Sequence, residues 1–245
     1  WLKQWDFIIM AATIQTIQTP KRARALDTSG NNNHGQIYSG RGLEFDGVSD
    51  YLDCGATSNF TTAAGARTVC CWVYLPDNTP SNDYFFCLGN STNGFALGIS
   101  SSNYLTFFDT GTNDTTVTEA SMVGVWTHLA ITHDGTTTAK IYVNGVLSLT
   151  NTTSTLATDQ DANTIIGARN TASSGTTADN HISCNLANFQ IWDTAWSQDD
   201  VTYAYLNPEQ LALNRGGTSL TESNLKLWYP MQDGHRGQQS FVLDG

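Results

Sequence analysis

Short runs that alternate between hydrophobic and polar residues recur from residue 35 to about residue 192, and Gly, Asn, Asp and Ser separate them. No amphipathic helical pattern lies between these runs, so the chain favours antiparallel sheets over β-α-β units. The clearest case covers residues 126–149, where Asp134-Gly135 and Asn144-Gly145 interrupt the alternation. Such dipeptides are typical of tight turns, because glycine adopts a positive φ at little steric cost. This segment predicts a three-stranded antiparallel meander.

A helical signal follows the strand-like region. Ser197 stands three residues before Asp200 in the manner of a capping box, with Asp where Glu is usual. Asn207-Pro208 is expected to end this helix, and the proline would then open a second short turn over residues 209–213. The sequence therefore predicts an all-β protein with one or two short helices near residues 198–213.

The composition narrows the range of partners. The 245 residues carry a formal net charge of −11, and only 13% of them are charged. An acidic chain is poorly suited to polyanions, which argues against nucleic acid and against an anionic membrane surface as partners. The five cysteines form no Cys-x-x-Cys pair, so we expect small, reduced thiols rather than a zinc site. A chain of this length can bury a core without a metal, so no cofactor is required for folding.

Charge is distributed unevenly along the chain. Residues 1–25 contain Lys3, Lys21, Arg22 and Arg24 against Asp6, a net +3 that leaves −14 on the remaining residues. We interpret residues 1–25 as a basic N-terminal arm that docks, through Lys21, Arg22 and Arg24, on an acidic surface of another subunit or assembly partner. A solvated terminus without a specific contact is the alternative.

Five motifs in a fixed order point to one family. They are DTSGNNNHG (27–35), LEFDGVSDYL (43–52), TVCCWV (68–73), WTHLAITHDG with IYVNG (126–145) and LANFQIW (186–192). In this order they resemble laminin-G-like, concanavalin A-like jelly-roll modules, of the type found in phage structural proteins and bacterial surface proteins. The resemblance covers about residues 26–206 and implies an antiparallel two-sheet jelly-roll sandwich. It also implies that Trp72, Trp126 and Trp192 are buried between the two sheets, where they indicate the fold rather than the function.

The last part of the chain looks like the start of another such module. Residues 225–234 read LKLWYPMQDG, which resembles the first strand and loop of the family, whereas the usual place of that motif, before residue 27, lacks it. We treat residues 207–245 as a C-terminal extension. It could complete this sandwich in a permuted order, pair with a neighbouring chain or open a further domain, and we favour a role in an extended assembly.

The same fold supports glycosidases, which use two carboxylates about 5 to 5.5 Å apart for retaining chemistry. The corresponding family motif is E-x-D-x-x-E. Glu44 and Asp46 begin this motif, but Ser49 occupies its last position. There is no G-x-S-x-G or H-E-x-x-H motif, and His128 and His133, an odd number of positions apart in one strand, face opposite sides and form no metal pair. We therefore expect no enzyme activity.

Modules that resemble this chain often bind calcium at the rim of the sandwich, through oxygen atoms of the opening loop and of an acidic residue in the closing strand. The resemblance assigns Asp27 and Asn31 to that loop and Asn188 to the closing strand, where the missing negative charge lowers the expected affinity. An Asx-type turn at Asp27 and Asn31 is the alternative. Calcium is therefore a possible ligand rather than a required cofactor.

Two functions fit these features. The first is a non-catalytic virion structural protein, such as a phage head decoration, fibre or tail component, which contacts other virion proteins or copies of itself through its N- and C-terminal segments. Such a virion protein could also adhere to host glycans. The alternative is a secreted or cell-surface bacterial carbohydrate-binding module. The candidate rings for stacking on sugars lie beside turn-forming residues and are Tyr84, Tyr104, Phe107 and Phe108, each of which could instead belong to the core.

Overall fold

The computed structural model describes residues 41–231 except residues 80, 81, 111, 112 and 209, and also three short strands closer to the N-terminus. The strands in chain order are β1 (Ile14–Thr16), β2 (Arg24–Ala25), β3 (Gly35–Gln36), β4 (Arg41–Asp46), β5 (Leu52–Ala56), β6 (Arg67–Tyr74), β7 (Asp83–Gly89), β8 (Gly94–Ile99), β9 (Tyr104–Phe108), β10 (Asn113–Thr118), β11 (Trp126–His133), β12 (Ala139–Val143), β13 (Val146–Asn151), β14 (Asn163–Ile166), β15 (Arg169–Asn170), β16 (Ala178–Asp179), β17 (Ser183–Trp192) and β18 (Leu225–Tyr229). Helix α1 spans Gln198–Leu206, and short 3-10 turns lie at Thr57–Asn59, Glu119–Ser121, Ala212–Asn214 and Glu222–Asn224.

Two sheets form the body of the molecule. The larger has the strand order β1-β4-β17-β6-β11-β12-β13, with β18 added against β17, and the smaller has the order β10-β9-β8-β7-β14-β5. Each pairing between these strands is antiparallel. The pairs β2–β3 and β15–β16 form two separate ribbons. This architecture confirms the predicted all-β, antiparallel two-sheet jelly-roll sandwich.

Strand alternation places one face of each sheet in a shared core. Cys71 of the larger sheet is buried there together with aromatic residues of both sheets. Phe86 meets Phe189 edge-on with ring centroids 5.7 Å apart, and Phe95 meets Phe107 in the same way at 5.1 Å. Burial of such large rings is a major source of stability for a sandwich.

The predicted meander is present as β11, β12 and β13. Asn144 and Gly145 have φ angles of 51° and 79°, as expected for the two-residue turn between β12 and β13. The turn at Asp134 is longer, because Asp134 Oδ1 accepts hydrogen bonds from the backbone N–H groups of residues 136, 137 and 138 at 2.7, 3.1 and 3.0 Å. The side chain thus organises a wider loop than the tight turn that the dipeptide predicts.

Helix α1 begins at the predicted capping box. Ser197 Oγ accepts a hydrogen bond from Asp200 N at 3.2 Å, and Asp200 Oδ2 accepts one from Ser197 N at 3.1 Å. The helix ends before Asn207, as predicted, and the second helical turn lies slightly further along, as the 3-10 turn Ala212–Asn214. Within the described ranges, no helix has the length and hydrophobicity needed to cross a membrane.

The prediction that Trp72, Trp126 and Trp192 lie between the sheets was wrong. Trp72 and Trp192 are buried, but they face the outer side of the larger sheet, because they alternate with the core residues of their strands. Tyr205 of α1 stacks on Trp72 with ring centroids 5.7 Å apart, and Trp196 meets Trp192 edge-on at 5.3 Å. Trp126 is half-buried in the same outer layer. The helix region therefore forms a second, smaller core outside the sandwich.

The C-terminal strand completes the larger sheet. β17 is ten residues long; residues 183–186 pair with β4, and residues 189–192 pair with β18. β18 thus continues along β17 from the point where β4 stops. Of the alternatives for this segment, the structure shows pairing of β18 within the same chain in a permuted order. The role in an extended assembly that we favoured stays a prediction.

Candidate functional site

A polar cleft of about 530 Å³ opens at one end of the sandwich, where β4 ends and where β7 and β17 begin. Three loops meet there: the loop after β4, the loop before β7 and the loop before β17. The residues that line the polar cleft are Asp46, Gly47, Asp77, Asn78, Thr79, Asp83, Asn180, His181 and Ser183.

The first wall of the polar cleft is the turn after β4. Asp46 Oδ1 accepts hydrogen bonds from the backbone N–H groups of residues 48, 49 and 50 at 2.8, 2.9 and 3.1 Å. Partial burial opposes ionisation of Asp46, but these N–H groups outweigh it and lower the pKa of the carboxyl. Gly47 has a φ of 72°, and a Cβ there would lie 2.9 Å from Ser183 Cβ, so the turn requires glycine. Asp46 is therefore an exposed carboxylate that is held in place and ionised at neutral pH.

The second wall comes from the loop before β7. Asp77 and Asn78 are exposed at its rim, and Asp77 Oδ1 accepts a hydrogen bond from Asn78 N at 2.8 Å. The backbone N–H of Thr79 donates to the carboxylate of the buried Glu119, which anchors the loop. Thr79 is only 5% exposed, and its hydroxyl has no hydrogen-bond partner among the described residues. Buried polar atoms generally have partners, so this hydroxyl is an unsatisfied group inside the wall of the polar cleft.

The third wall is the loop before β17, and it is held in place by an arginine that does not itself line the polar cleft. Arg169 donates two hydrogen bonds to Asp179, at 2.8 and 2.7 Å, and one to Asn180 Oδ1 at 3.2 Å. Its guanidinium carbon lies 5.5 Å from the ring centroid of Tyr84. Asn180 has a φ of 49°, and its side-chain amide donates to the backbone carbonyl of Asn82. These contacts hold Asn180 in a left-handed conformation that few residues adopt readily.

One aromatic ring lines the polar cleft, and a second lies beside it. Tyr51 is 39% exposed, and its ring centroid lies 6.0 Å from that of His181, a lining residue. His181 Nδ1 lies 3.3 Å from the carbonyl oxygen of Asp50, a contact that orients the imidazole. The cleft therefore combines the His181 ring with carboxylate and amide groups, and the exposed Tyr51 ring lies next to His181. The combination of an apolar contact with a few directed polar groups is typical of small-molecule sites.

Comparison with known proteins identifies the family. A laminin G model, described as the concanavalin A-like lectin/glucanases superfamily, matches residues 46–202, more than half of the chain. The chain belongs to the concanavalin A-like lectin/glucanase superfamily. The match includes all three loops of the polar cleft, so this site lies within the superfamily domain. No curated protein sequence matches the chain.

Several solved structures share the fold of this superfamily member at low sequence identity. A "putative carbohydrate binding protein" from Bacteroides ovatus matches with a TM-score of 0.60 and 16% identity, over 89% of this chain and 61% of that chain. Trypanosoma rangeli sialidase matches with a TM-score of 0.52 and 10% identity, over 80% of this chain and 32% of that chain. The receptor binding domain of botulinum neurotoxin D matches with a TM-score of 0.50 and 13% identity, over 80% and 48%. This chain spans less than two thirds of each of these chains, and the likeness shows a lectin-like fold.

The structure separates the four predicted stacking rings of this superfamily member. Phe107 is fully buried in the core between the sheets, so the prediction that it faces a sugar was wrong. Tyr84 is also buried; it packs on Phe108 with ring centroids 4.7 Å apart and lies under Arg169, behind the polar cleft. Phe108 is half-buried. Tyr104 is 38% exposed and stays a candidate ring outside the polar cleft.

Sequence reasoning did not identify the polar cleft. Asp46 belongs to the family motif of residues 43–52 and to the incomplete glycosidase motif, and Asp77, Asn78 and His181 belong to no motif. The available signal is a set of polar turn formers in three separate loops, which marks exposed loops but does not show that they meet.

Of the three predicted calcium ligands, the structure describes only Asn188. Asp27 and Asn31 lie outside the described residues. Asn188 Oδ1 accepts hydrogen bonds from Trp228 Nε1 at 2.8 Å and Gln190 Nε2 at 3.1 Å, so this oxygen is already occupied. No three His, Cys, Asp or Glu side chains of the described part of the chain are grouped as a metal site. Calcium binding by the loop around residues 27–31 stays a prediction.

The predicted assembly arm also stays a prediction. Lys21 and Arg22 lie outside the described residues. Arg24 falls in β2, for which the structure describes the backbone.

Proposed function

We propose that this protein is a non-catalytic carbohydrate-binding domain that holds a saccharide in the polar cleft. The observation that carries the proposal is that exposed carboxylate and amide groups meet the His181 ring at one open cleft of a lectin-like sandwich, with the exposed Tyr51 ring beside His181. A sugar ring presents hydroxyl groups around an apolar C–H face, so it requires both kinds of contact.

Each group of the polar cleft has a defined part in this proposal. The carboxylates of Asp46 and Asp77 accept hydrogen bonds from sugar hydroxyls, and the amide of Asn78 both donates and accepts. The unpartnered hydroxyl of Thr79 supplies one further donor or acceptor. Tyr51 packs its exposed ring on the C–H face of the sugar, since tyrosine offers a large contact area and few rotatable bonds.

Two features favour binding over hydrolysis. Ser49 stands where the glycosidase motif has its third acid, and the pKa of Asp46 is lowered by backbone N–H groups that outweigh its partial burial, whereas a general acid needs a raised pKa. Burial, together with the charge of Asp46, raises the pKa of Asp50. However, Asp50 is only 8% exposed and does not line the polar cleft. These residues therefore offer hydrogen bonds rather than an acid and nucleophile pair.

The similar structures favour the secreted or cell-surface alternative over the virion role. One is named for carbohydrate binding in a bacterium, and another is the receptor binding domain of a toxin. None of the names of these two and the sialidase refers to a virion. We therefore propose a secreted or cell-surface location.

The experiment is a glycan array probed with the purified chain, followed by titration calorimetry on the best ligand. Tyr51→Ala and Asp77→Ala are expected to weaken binding about tenfold each, or about 1.4 kcal/mol. Asp161→Ala is the matched control, because Asp161 is an exposed acid in the loop before β14, away from the three loops of the polar cleft. Absence of binding to every glycan, with or without calcium, would overturn the proposal, and so would release of reducing sugar from the bound glycan.

A further inference from the structure

Charge in the polar cleft is of one sign. Asp46, Asp77 and Asp83 line it, and no lysine or arginine is among its described lining residues. On the basis of the carbohydrate-binding function proposed above, we infer that the polar cleft selects neutral saccharides and excludes those that carry carboxylate or sulfate groups.

The two exposed carboxylates are the groups that a ligand meets at the rim. Asp46 is held by the backbone N–H groups of residues 48–50, and Asp77 by that of Asn78. A carboxylate that is hydrogen-bonded to its own turn does not rotate away from an approaching anion, so repulsion persists within the screening length of about 10 Å. Carboxylates also only accept hydrogen bonds, which suits a sugar hydroxyl and not a ligand carboxylate.

No cation of the third wall offsets this repulsion. Arg169 lies behind the wall, and its guanidinium is hydrogen-bonded to Asp179 and Asn180. Its pairing with Asp179, at 2.7 Å, leaves no net positive charge at this place. An anionic sugar would therefore have to displace Asp179 before it gained a contact with the Arg169 cation. Selectivity of this kind comes from rejecting the wrong ligand, not from extra contacts to the right one.

Thr79 gives an observation that is independent of charge. Its side chain is almost completely buried, it lines the polar cleft, and its hydroxyl has no hydrogen-bond partner among the described residues. A neutral hydroxyl can donate to a sugar oxygen or accept from a sugar hydroxyl. The polar cleft thus combines acceptors at the rim with a neutral group in its wall, and its described lining residues include no lysine or arginine that would favour an anion.

The experiment compares neutral oligosaccharides with uronate oligosaccharides of the same linkage and length. The pairs are oligogalactosides with oligogalacturonides, and oligomannosides with oligomannuronides, measured by calorimetry at low salt with a calcium chelator present. We expect the uronate member to bind about tenfold more weakly than its neutral partner, equivalent to about 1.4 kcal/mol. The difference is expected to shrink when salt is raised to about 1 M, where the screening length falls to about 3 Å.

Variants distinguish the charge from the shape of the site. Asp77→Asn keeps the size of the side chain and is expected to reduce the ratio of neutral to uronate affinity about threefold. The control Asp161→Asn removes the same charge elsewhere and is expected to leave that ratio unchanged. Equal or tighter binding of uronates, with neutral sugars still bound, overturns the selectivity but not the carbohydrate-binding function. Binding of uronates only when calcium is present also overturns it. Absence of binding to both members of every pair overturns the function and the selectivity together.

Discussion

The indole N–H of Trp228 donates a hydrogen bond of 2.8 Å to the amide oxygen of Asn188. The same oxygen accepts from Gln190 Nε2 at 3.1 Å, and Gln190 Oε1 accepts from the buried indole of Trp192 at 2.9 Å. Asn188 also donates to the carbonyl oxygen of Pro208 at 2.9 Å. One asparagine with a φ of 48° thus links β17, β18 and the segment after α1, at the point where β17 changes partner from β4 to β18.

Replacing this asparagine is expected to destabilise the fold. Asn188→Ala removes three hydrogen bonds and places a Cβ-bearing residue without a local hydrogen bond at a positive φ, so the free energy of unfolding should fall by about 3 kcal/mol. Asn188→Gly removes the same hydrogen bonds without the backbone strain, and its loss should be smaller by about 1 kcal/mol. Urea denaturation of both variants measures these values. Losses below about 0.5 kcal/mol in both would contradict the linking role.

Features that depend on neighbouring residues could be predicted from the sequence. Asn144-Gly145 determines its turn through the φ that each residue tolerates, and Ser197 with Asp200 determines a helix start through two hydrogen bonds. The pairing of β18 with β17 is different, because it joins residues 225–229 to residues 189–192. The family motif indicated a strand there, but a strand sequence does not specify which edge it joins or whether that edge belongs to the same chain.

Because a strand sequence does not specify its tertiary neighbours, the aromatic residues were misplaced and the polar cleft was overlooked. Alternation puts Trp72 and Cys71 on opposite faces of the larger sheet, but it does not say which face belongs to the core. Here α1 buries the outer face as well. Phe107 and Phe108 differ in the same way, since neighbouring residues of a strand point to opposite faces. The polar cleft joins Asp46, residues 77–79 and residues 180–183. The sandwich topology alone brings these together, so no spacing within the sequence indicates them.

His128 is expected to make the fold sensitive to acid. It is 2% exposed, packs against both Trp72 and Tyr205 with ring centroids 5.2 and 6.0 Å away, and its Nδ1 has no hydrogen-bond partner among the described residues. Burial lowers its pKa from 6.5 to about 3. Between these values the unfolded chain binds a proton that the folded chain rejects, so the free energy of unfolding falls as the pH drops from 6.5 towards 3. At about pH 5 the loss is about 2 kcal/mol, measured by urea denaturation against neutral pH.

The variant His128→Phe tests this origin, because it keeps an aromatic ring in the same packing but has no proton to bind. Most of the decrease between neutral pH and about pH 5 should disappear. Burial also lowers the pKa of His133, which acts in the same direction, so part of the acid sensitivity should remain. Asn188→Gly destabilises the fold without changing a titratable group and should keep the pH dependence of the parent protein. An unchanged pH dependence in His128→Phe would contradict the assignment.

Arg169 is expected to be a positioning residue for saccharide binding. It reaches the polar cleft only through Asn180, which it holds by a hydrogen bond of 3.2 Å while it pairs with Asp179. Both partners of that ion pair are partly exposed, so Arg169→Met should lower the free energy of unfolding by less than about 1 kcal/mol. Without the hydrogen bond Asn180 keeps its contact with Asn82 but is held less firmly in its left-handed conformation, and affinity for a neutral saccharide should fall about fivefold. The matched control is Arg215→Met, which breaks the ion pair with the buried Asp200 at 2.8 Å, far along the chain from the cleft loops. It should lose more stability than Arg169→Met and keep the affinity, whereas equal affinity losses in both variants would show that binding follows stability and not the position of Asn180.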